Sequence, residues 1–326
     1  MTKELKLELT SIQPWAKPNK IIMTDNKINP WEGTGVALVT PFLNGNIDFE
    51  NLTKIINHVI DGGVDFLVSL GTTGETATLS DEEIQQVIAH TISVNKGRVP
   101  LVIGNFGGNN TLELAQKLRN TDFDGISALL CSSPSYLKPT QEGIYRHYME
   151  LAEASPLPII IYNVPSRTAS NVEAETTIRL AAASEKFVAI KEASGDLYQS
   201  MYIIQNCRKD FNVLSGDDPT ALPIIASGGK GVISVIANAL PLEMSSLVDA
   251  ALEDDFEKAR KINGALLEMY WWLFCEGNPV GIKSIMHHLG LCKRDVRLPL
   301  VPMSEANYKG IPADLKLMRG DLKSIL

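Results

Sequence analysis

Eight short apolar runs, each rich in β-branched residues, alternate with longer amphipathic stretches between residues 36 and 238. Such runs predict buried strands, and the amphipathic stretches between them predict helices. The predicted strands lie at 36–42, 66–70, 100–105, 125–133, 158–163, 187–193, 212–217 and 231–238. Strands that are apolar on both faces and separated by helices are typical of a parallel sheet covered by helices. The pattern therefore predicts an α/β fold, and eight such units in about 200 residues favour a closed TIM (β/α)8 barrel.

A doubly wound open sheet is the alternative for the same pattern. That fold would require a G-x-G-x-x-G turn after the first strand, where the chain has "TPFLNGN". We therefore assign residues 31–240 to the barrel. The alternation stops after residue 240, and a helical pattern predicts a C-terminal helical subdomain at 241–326. Residues 1–30 are expected to be an N-terminal extension outside the core, with a composition compatible with disorder.

The overall composition argues against several classes of function. The chain has 326 residues, 44% of them hydrophobic, and a net charge of −8 at pH 7. Nucleic-acid-binding proteins usually carry a basic patch or stripe, so we expect no nucleic-acid partner. No apolar run reaches the roughly 18 residues that a membrane-spanning helix needs, so we expect no membrane association.

The cysteines and histidines indicate a reducing compartment and no metal site. The four cysteines are far apart, with no C-x-x-C pair and no secretory signal, so we expect reduced thiols and a cytoplasmic protein. The adjacent His287 and His288 point to different sides of a helix, and the sequence has no H-x-x-x-H spacing. We therefore expect no metal ion.

The residue that fits the strand pattern least well is Lys191, which follows the apolar run 187–190 in "EKFVAIKEAS". Lysine is rarely buried unless its ammonium is paired or its head reaches water. In a TIM barrel, however, active sites lie at the carboxyl ends of the strands, and Lys191 is near the end of the sixth. Desolvation there favours the neutral amine, which can attack a ketone and form an imine that acts as an electron sink.

Groups suited to proton transfer and to anion binding follow the neighbouring strands. Imine chemistry needs a proton shuttle, and Tyr162, Tyr136 and Thr72 supply hydroxyl groups at strand ends. Each tyrosine alone is equally well explained by packing, and the threonines of "GTTGE" by a turn. The glycines of that motif let backbone amides approach a carboxylate, and Arg167 offers a planar fork for a second one. One amine and two anion sites favour a keto-acid donor and a second acidic substrate.

Six motifs in a fixed order resemble those of one known family. They are "GTTGE", "YNVPSRT", "IKEASG", "LSGDD", "GVISV" and "EGNPVGIK", and the resemblance runs from about Gly35 to Pro302. Each motif alone is weak, but together they are specific. They resemble the dihydrodipicolinate synthase / N-acetylneuraminate lyase family of class I aldolases. The resemblance implies a covalent imine between pyruvate and a lysine, with no separate cofactor.

The resemblance also implies roles for individual residues. The implied catalytic residues are Lys191, Tyr162, Tyr136 and Thr72. The implied substrate-binding residues are Thr73, Arg167, Gly216 and Ile233. Lys191 would form the imine, with Tyr162 over it as the proton-transfer tyrosine. Tyr136 would reach in from a neighbouring subunit and complete a relay with Thr72.

The second substrate depends mainly on Arg167, which matches the arginine that in the synthase branch faces the carboxylate of aspartate semialdehyde. The expected reaction is condensation of pyruvate with this aldehyde acid, L-aspartate 4-semialdehyde, in lysine and diaminopimelate biosynthesis. Another pyruvate-dependent aldolase or lyase of the family is the alternative, such as an N-acetylneuraminate lyase or a keto-sugar-acid aldolase. A catalytically silent keto-acid-binding paralogue is a third interpretation, which the intact catalytic set argues against.

Two departures from the synthase pattern affect assembly and regulation. Synthases commonly carry a tyrosine pair after the fourth strand, followed by asparagine; here Ser135 takes the first tyrosine's place and Leu137 that of the asparagine. Lysine feedback in the family uses that first tyrosine and two histidines, at whose positions this chain has Asp81 and Ile84. We therefore expect weak or absent inhibition by lysine. The resemblance implies a homotetramer built from dimers, or a homodimer.

Overall fold

A computed structural model describes residues 30–104 and 106–326, and eight of its parallel strands close into a barrel in the order β1-β10-β9-β8-β7-β6-β5-β4. The strands are β1 Gly33–Ala37, β2 Phe42–Leu43, β3 Asn46–Ile47, β4 Phe66–Ser69, β5 Leu101–Ile103, β6 Ala128–Ser132, β7 Ile159–Asn163, β8 Phe187–Glu192, β9 Asn212–Ser215 and β10 Gly231–Ser234. β2 and β3 form a separate antiparallel hairpin. The predicted α/β fold, a TIM barrel, is confirmed. The predicted extension at residues 1–30 lies, apart from Pro30, outside the described residues.

Helices cover the outside of the barrel and form the C-terminal part of the chain. They are α1 Phe49–Asp61, α2 Asp81–Asn95, α3 Thr111–Asn120, α4 Gln141–Ala154, α5 Pro165–Thr168, α6 Ala174–Ala183, α7 Leu197–Asn206, α8 Ala221–Ala226, α9 Pro241–Leu252, α10 Phe256–Phe274, α11 Val280–His288, α12 Glu305–Tyr308 and α13 Ile311–Leu322. One hydrophobic cluster runs from Val36 in β1 to Leu322 in α13. The domain boundary near residue 240 stays a prediction. Among the described helices, none combines the length and apolar character needed to cross a membrane.

Side chains along the strands alternate between the barrel interior and the helical layer. Ile160 and Tyr162 of β7 and Ala189 of β8 belong to the cluster that fills the barrel. Because the side-chain period of a strand is two, Lys191 points into the same interior as Ala189. Glu192, the next residue, therefore faces the helical layer. The strand pattern thus places an amine, rather than a carboxylate, inside the barrel.

The first barrel strand spans Gly33–Ala37 instead of the predicted 36–42. It begins earlier because Gly33 and Gly35 belong to it. A Cβ atom on Gly231 would lie 1.9 Å from the Gly33 carbonyl oxygen, and one on Gly35 would lie 2.2 Å from the Phe66 ring. Glycine is therefore required where β1 contacts its neighbours, although glycine disfavours strands in general. Pro41, which lacks an amide hydrogen, lies in the segment that leaves the barrel before β2.

The last barrel strand is shorter than the predicted 231–238, because a buried carboxylate turns the chain. β10 ends at Ser234, and a 3-10 helix follows at Ile236–Asn238. The side chain of Asp218 accepts hydrogen bonds from the amides of Val235, at 3.0 Å, and Ile236, at 3.4 Å. Amides that bond to this carboxylate cannot continue the strand ladder.

Candidate active site

Lys191, Tyr162 and Thr72 meet at the carboxyl end of the barrel. Tyr162 and Lys191 are partners in the β7–β8 register, each next to last in its strand. The Lys191 Nζ lies 4.6 Å from the centroid of the Tyr162 ring, and the two residues are only 4% and 6% exposed. Thr72 begins a short 3-10 helix after β4, and its Oγ1 lies 3.4 Å from the Tyr162 hydroxyl. The chain therefore combines a buried amine with two linked hydroxyl groups.

The charges around Tyr162 favour loss of its phenolic proton. Burial acts to raise the pKa of Tyr162, but the positive charges of Lys191 and Arg167 and the hydrogen bond with Thr72 outweigh it. The resulting pKa is lower than the ordinary value of 10.0. A phenol with a lowered pKa exchanges a proton more readily near neutral pH, which suits a general acid–base group.

Two carboxylates, one next to Lys191 in the chain and one in the loop after β9, have different environments. Glu192 is buried and faces the helical layer, where it accepts hydrogen bonds from Asn163 at 3.0 Å and Gln199 at 2.9 Å. Asp217, in the loop after β9, is close enough for its carboxylate to respond to the charge of Lys191. Burial raises the pKa of Asp217, and Lys191 opposes that rise. The charge of Lys191 thus acts on the Asp217 carboxylate.

The three residues predicted to line the pyruvate site lie after β4, after β9 and in β10. Thr73 is buried next to Thr72, and its Oγ1 accepts a hydrogen bond of 2.9 Å from Asn278. The amide of Gly216 donates to the carbonyl oxygen of Glu192 at 2.7 Å, directly after β9. Ile233 is fully buried in the cluster that also contains Tyr162. The roles of these three residues in binding stay predictions.

Arg167 and Tyr136 lie at the outer edge of the site. Arg167 is exposed in the short helix α5, and its charge acts on Tyr162. Tyr136 is 86% exposed and has a φ of 66°, an uncommon angle for a bulky residue. Within the described part of this chain, its hydroxyl makes no hydrogen bond with Thr72 or Tyr162. Lys191, Tyr162 and Thr72 thus lie together and the charge of Arg167 acts on Tyr162, whereas Tyr136 is exposed and its role in the relay stays a prediction.

Several residues around the site were not predicted from the sequence. Asn278 bonds to Thr73, and Lys283 forms a buried ion pair with Glu75, the last residue of "GTTGE". Asn278 and Lys283 both belong to "EGNPVGIK", which the sequence identifies only as a motif of the family. The sequence contained one indication of their role, since this late motif places an amide and a lysine next to an apolar helical pattern. Neither partner is identifiable from sequence spacing, because about 200 residues separate each pair.

Two further expectations from the sequence concern metal binding and inhibition by lysine. Among the described residues, no three His, Cys, Asp or Glu side chains form a group that could hold a metal ion. Ile84 is 8% exposed and packs in the main hydrophobic cluster, and Asp81 is the first residue of α2. An apolar buried side chain at the first of these positions offers no polar contact to an amino acid. The expectation of weak lysine inhibition stays a prediction.

Comparisons with known proteins identify the family of the chain. The model of the dihydrodipicolinate synthetase family matches residues 30–318. A 4-hydroxy-tetrahydrodipicolinate synthase of Flavobacterium psychrophilum is 51% identical over 274 residues, covering 84% of this chain and 93% of that protein. The chloride-inhibited dihydrodipicolinate synthase of Acinetobacter baumannii, solved in complex with pyruvate, is 39% identical with a TM-score of 0.84, covering 88% of this chain and 98% of that one.

A third similarity concerns assembly. A solved structure described as the first monomeric dihydrodipicolinate synthase variant is 35% identical, with a TM-score of 0.84. The similarity covers 91% of this chain and 97% of that one. The family match, the close relatives and the barrel with its buried lysine agree, and the chain belongs to the dihydrodipicolinate synthetase family.

Proposed function

We propose that this protein is a 4-hydroxy-tetrahydrodipicolinate synthase, which condenses pyruvate with L-aspartate 4-semialdehyde through an imine on Lys191. The observation that carries the proposal is the buried Lys191 amine, 4.6 Å from the Tyr162 ring at the carboxyl end of the barrel. Close relatives with the same name span most of the chain. The reaction belongs to the biosynthesis of lysine and diaminopimelate.

The proposed steps follow from the positions of the amine and the hydroxyl groups. The neutral amine of Lys191 attacks the ketone carbon of pyruvate, and loss of water from the adduct gives the iminium ion. The iminium withdraws electrons, so a proton leaves the methyl carbon and an enamine forms. The enamine carbon then attacks the aldehyde carbon of the second substrate, whose oxygen takes up a proton. The amino group of that substrate next attacks the iminium carbon and displaces the Lys191 nitrogen, which closes the ring and frees the amine. Each step moves a proton to or from a group near Nζ, where the Tyr162 hydroxyl, linked to Thr72, can carry it.

The chain supplies the electron sink of this mechanism itself. Because the iminium forms from Lys191 and pyruvate, we propose that the reaction needs neither a metal ion nor a separate cofactor.

The four cysteines of the chain are free thiols: Cys131, Cys207, Cys275 and Cys292. Free thiols are typical of a reducing compartment, which supports the proposal that the protein acts in the cytoplasm.

Trapping with borohydride tests the proposed function. Incubation with pyruvate and sodium borohydride should reduce the imine and add one reduced pyruvate to the tryptic peptide that contains Lys191. Mass spectrometry identifies the modified residue, and a coupled assay with L-aspartate 4-semialdehyde measures turnover. Absence of an adduct on Lys191 would contradict the imine mechanism. An adduct without turnover of this aldehyde would favour another pyruvate-dependent aldolase or lyase of the family.

Arg167 is expected to determine affinity for the second substrate. The Arg167→Lys variant keeps the positive charge that lowers the pKa of Tyr162 but loses the planar fork that binds a carboxylate. We expect the KM for L-aspartate 4-semialdehyde to rise about tenfold to a hundredfold, with an unchanged rate of pyruvate trapping. Steady-state kinetics with each substrate varied in turn measures both. Arg179→Lys, on the exposed face of α6, is the matched control, and equal effects of the two variants would refute the assignment.

The exposed apolar residues support the proposal that the chain assembles into a homotetramer, with a homodimer as the simpler form. One such surface contains Tyr136 and Leu137, which are 86% and 62% exposed. A second lies on α7, where Tyr198 and Tyr202 stack with ring centroids 6.3 Å apart and are both exposed. Two separate apolar surfaces are what a dimer of dimers requires.

Mixing two inactive variants tests whether Tyr136 acts in a neighbouring subunit. Tyr136→Phe and Lys191→Met are each expected to be nearly inactive alone. After unfolding and refolding together, half of the dimers are mixed, and each contains one intact site if Tyr136 is shared. We therefore expect recovery of about a quarter of wild-type activity. Should Tyr136 act within its own chain, neither site of a mixed dimer is intact and activity does not return.

A further inference from the structure

Behind the loop that carries Thr72 and Thr73 lies a buried ion pair between Glu75 and Lys283, which we call the Glu75–Lys283 pair. Its atoms Oε1 and Nζ are 2.5 Å apart, and the two side chains are 1% and 0% exposed. Lys283 also donates to the carbonyl oxygen of Asp295 at 2.9 Å. The second carboxylate oxygen of Glu75 accepts from the amide of Arg297, also at 2.9 Å. Every oxygen of the Glu75 carboxylate is thus used by the C-terminal part of the chain.

The Glu75–Lys283 pair connects segments that are far apart in the sequence. Glu75 follows the 3-10 helix Thr72–Gly74 directly, whereas Lys283 lies on α11, 208 residues later. The cations of Lys283 and Arg297 lie 4.3 and 4.5 Å from the centre of the buried Phe42 ring, in β2. The guanidinium of Arg297 also bonds to Glu83 at the start of α2. The active-site loop is therefore held from behind by the C-terminal segment 283–297.

The backbone of the loop needs such support. Glu75 has a φ of 54°, in the left-handed region that residues other than glycine seldom adopt. Left-handed residues persist where the surrounding structure determines their conformation, often at functional sites. Here the surrounding structure is the ion pair itself, because it fixes the side chain of the residue that carries the unusual angle. A second contact, from Asn278 to the Thr73 hydroxyl, comes from the same C-terminal region.

Stability alone does not account for a pair buried so completely. Removing both charges from water is costly, and replacing a buried ion pair by apolar residues often leaves a protein equally stable. Consistent with that cost, burial lowers the pKa of Lys283 from its ordinary value, and the Glu75 carboxylate offsets only part of the effect. An ion pair does, however, fix the distance between its two side chains and their relative orientation more narrowly than apolar packing does.

We propose that the Glu75–Lys283 pair is a positioning device of the active site, through which the C-terminal helices hold Thr72 and Thr73 in place for the pyruvate half-reaction. The pair acts on Thr72, whose Oγ1 lies 3.4 Å from the Tyr162 hydroxyl, and on Thr73, which is predicted to bind pyruvate. Both charged side chains are at most 1% exposed, so the pair acts through its neighbours rather than on the substrate. This inference rests on the proposed function and assigns part of the catalytic geometry to the C-terminal helices.

The double variant Glu75→Gln/Lys283→Met tests the proposal without leaving a lone buried charge. We expect an unchanged melting temperature, together with a fall in kcat/KM for pyruvate of about tenfold to a hundredfold, because small displacements of catalytic groups cost that much. The KM for the aldehyde should stay within about twofold, since Arg167 is held by α5 and not by this pair. The exposed ion pair Glu257–Lys261 on α10, changed in the same way, is the matched control and should leave kinetics unchanged.

A cycle with Thr72→Val separates positioning from general loosening. If the pair acts through Thr72, adding the double variant to Thr72→Val should lower kcat/KM for pyruvate by less than about threefold. Independent, multiplicative losses would overturn the proposal, as would a double variant with wild-type kinetics. If the double variant does not fold, Glu75→Gln alone, which keeps an oxygen for Lys283, is judged by the same two readouts. Borohydride trapping on the wild-type protein tests the proposed function separately, so the two failures are distinguishable.

Discussion

Replacing Lys191 by methionine should abolish incorporation of pyruvate on borohydride treatment and lower kcat/KM at least about 10⁴-fold. The variant removes the atom that forms the imine, and no other group can supply the electron sink for carbon–carbon bond formation. Lys191 is 4% exposed inside the barrel, where methionine has a similar length and needs no charge partner. We therefore expect the variant to fold and to keep its melting temperature, which circular dichroism measures.

Lys186→Met provides the control for the Lys191 variant. Lys186 lies five residues earlier in the same segment, before β8, and its Nζ donates to the carbonyl oxygen of Pro156 at 3.1 Å. Its replacement should leave trapping and turnover unchanged. A Lys191→Met protein that still incorporates pyruvate on another lysine would refute the assignment of the nucleophile.

The fold was predictable because each of its features is local in the sequence. The run "PIIIYN" and the run "FVAIK" both indicate buried strands, and the side-chain period of two then places Tyr162 and Lys191 on the interior side. The strand limits were wrong where tertiary contacts decide them. Gly33 and Gly35 extend β1 because neighbouring atoms leave no space for a Cβ atom, and Asp218 ends β10 by binding its amides.

Only those site residues that lie at strand ends could be predicted from the sequence. Lys191, Tyr162 and Thr72 follow from the rule that the catalytic residues of barrels occupy the carboxyl ends of strands. Lys283 is on α11, outside that rule, and it reaches the site only by packing against Glu75. Tyr136 lies four residues after β6 and is 86% exposed, and its proposed place in a neighbouring site requires a second chain. Long-range pairing and assembly are the two kinds of information that a single sequence lacks.

Replacing Tyr162 by phenylalanine should lower kcat about 10²- to 10⁴-fold while leaving pyruvate trapping detectable. The phenyl ring keeps its packing in the barrel and its position 4.6 Å from the amine, but the group that carries protons is lost. Tyr148→Phe is the control, because Tyr148 is also fully buried and its hydroxyl donates to the Cys131 carbonyl oxygen at 2.9 Å, outside the site. That variant is expected to lose about 1 kcal/mol of stability and to keep its kcat.

The pH dependence of kcat provides a sharper test of the role of Tyr162. Its pKa is below the ordinary phenol value because positive charges and Thr72 outweigh burial, so the deprotonated form appears at a lower pH than for a free phenol. Thr72→Val removes one of the groups that lower this pKa, so the alkaline limb of the profile should move to higher pH. In Tyr162→Phe the same limb should disappear. A Phe variant that retains both the limb and a kcat within about tenfold of the wild type would show that another group transfers the proton.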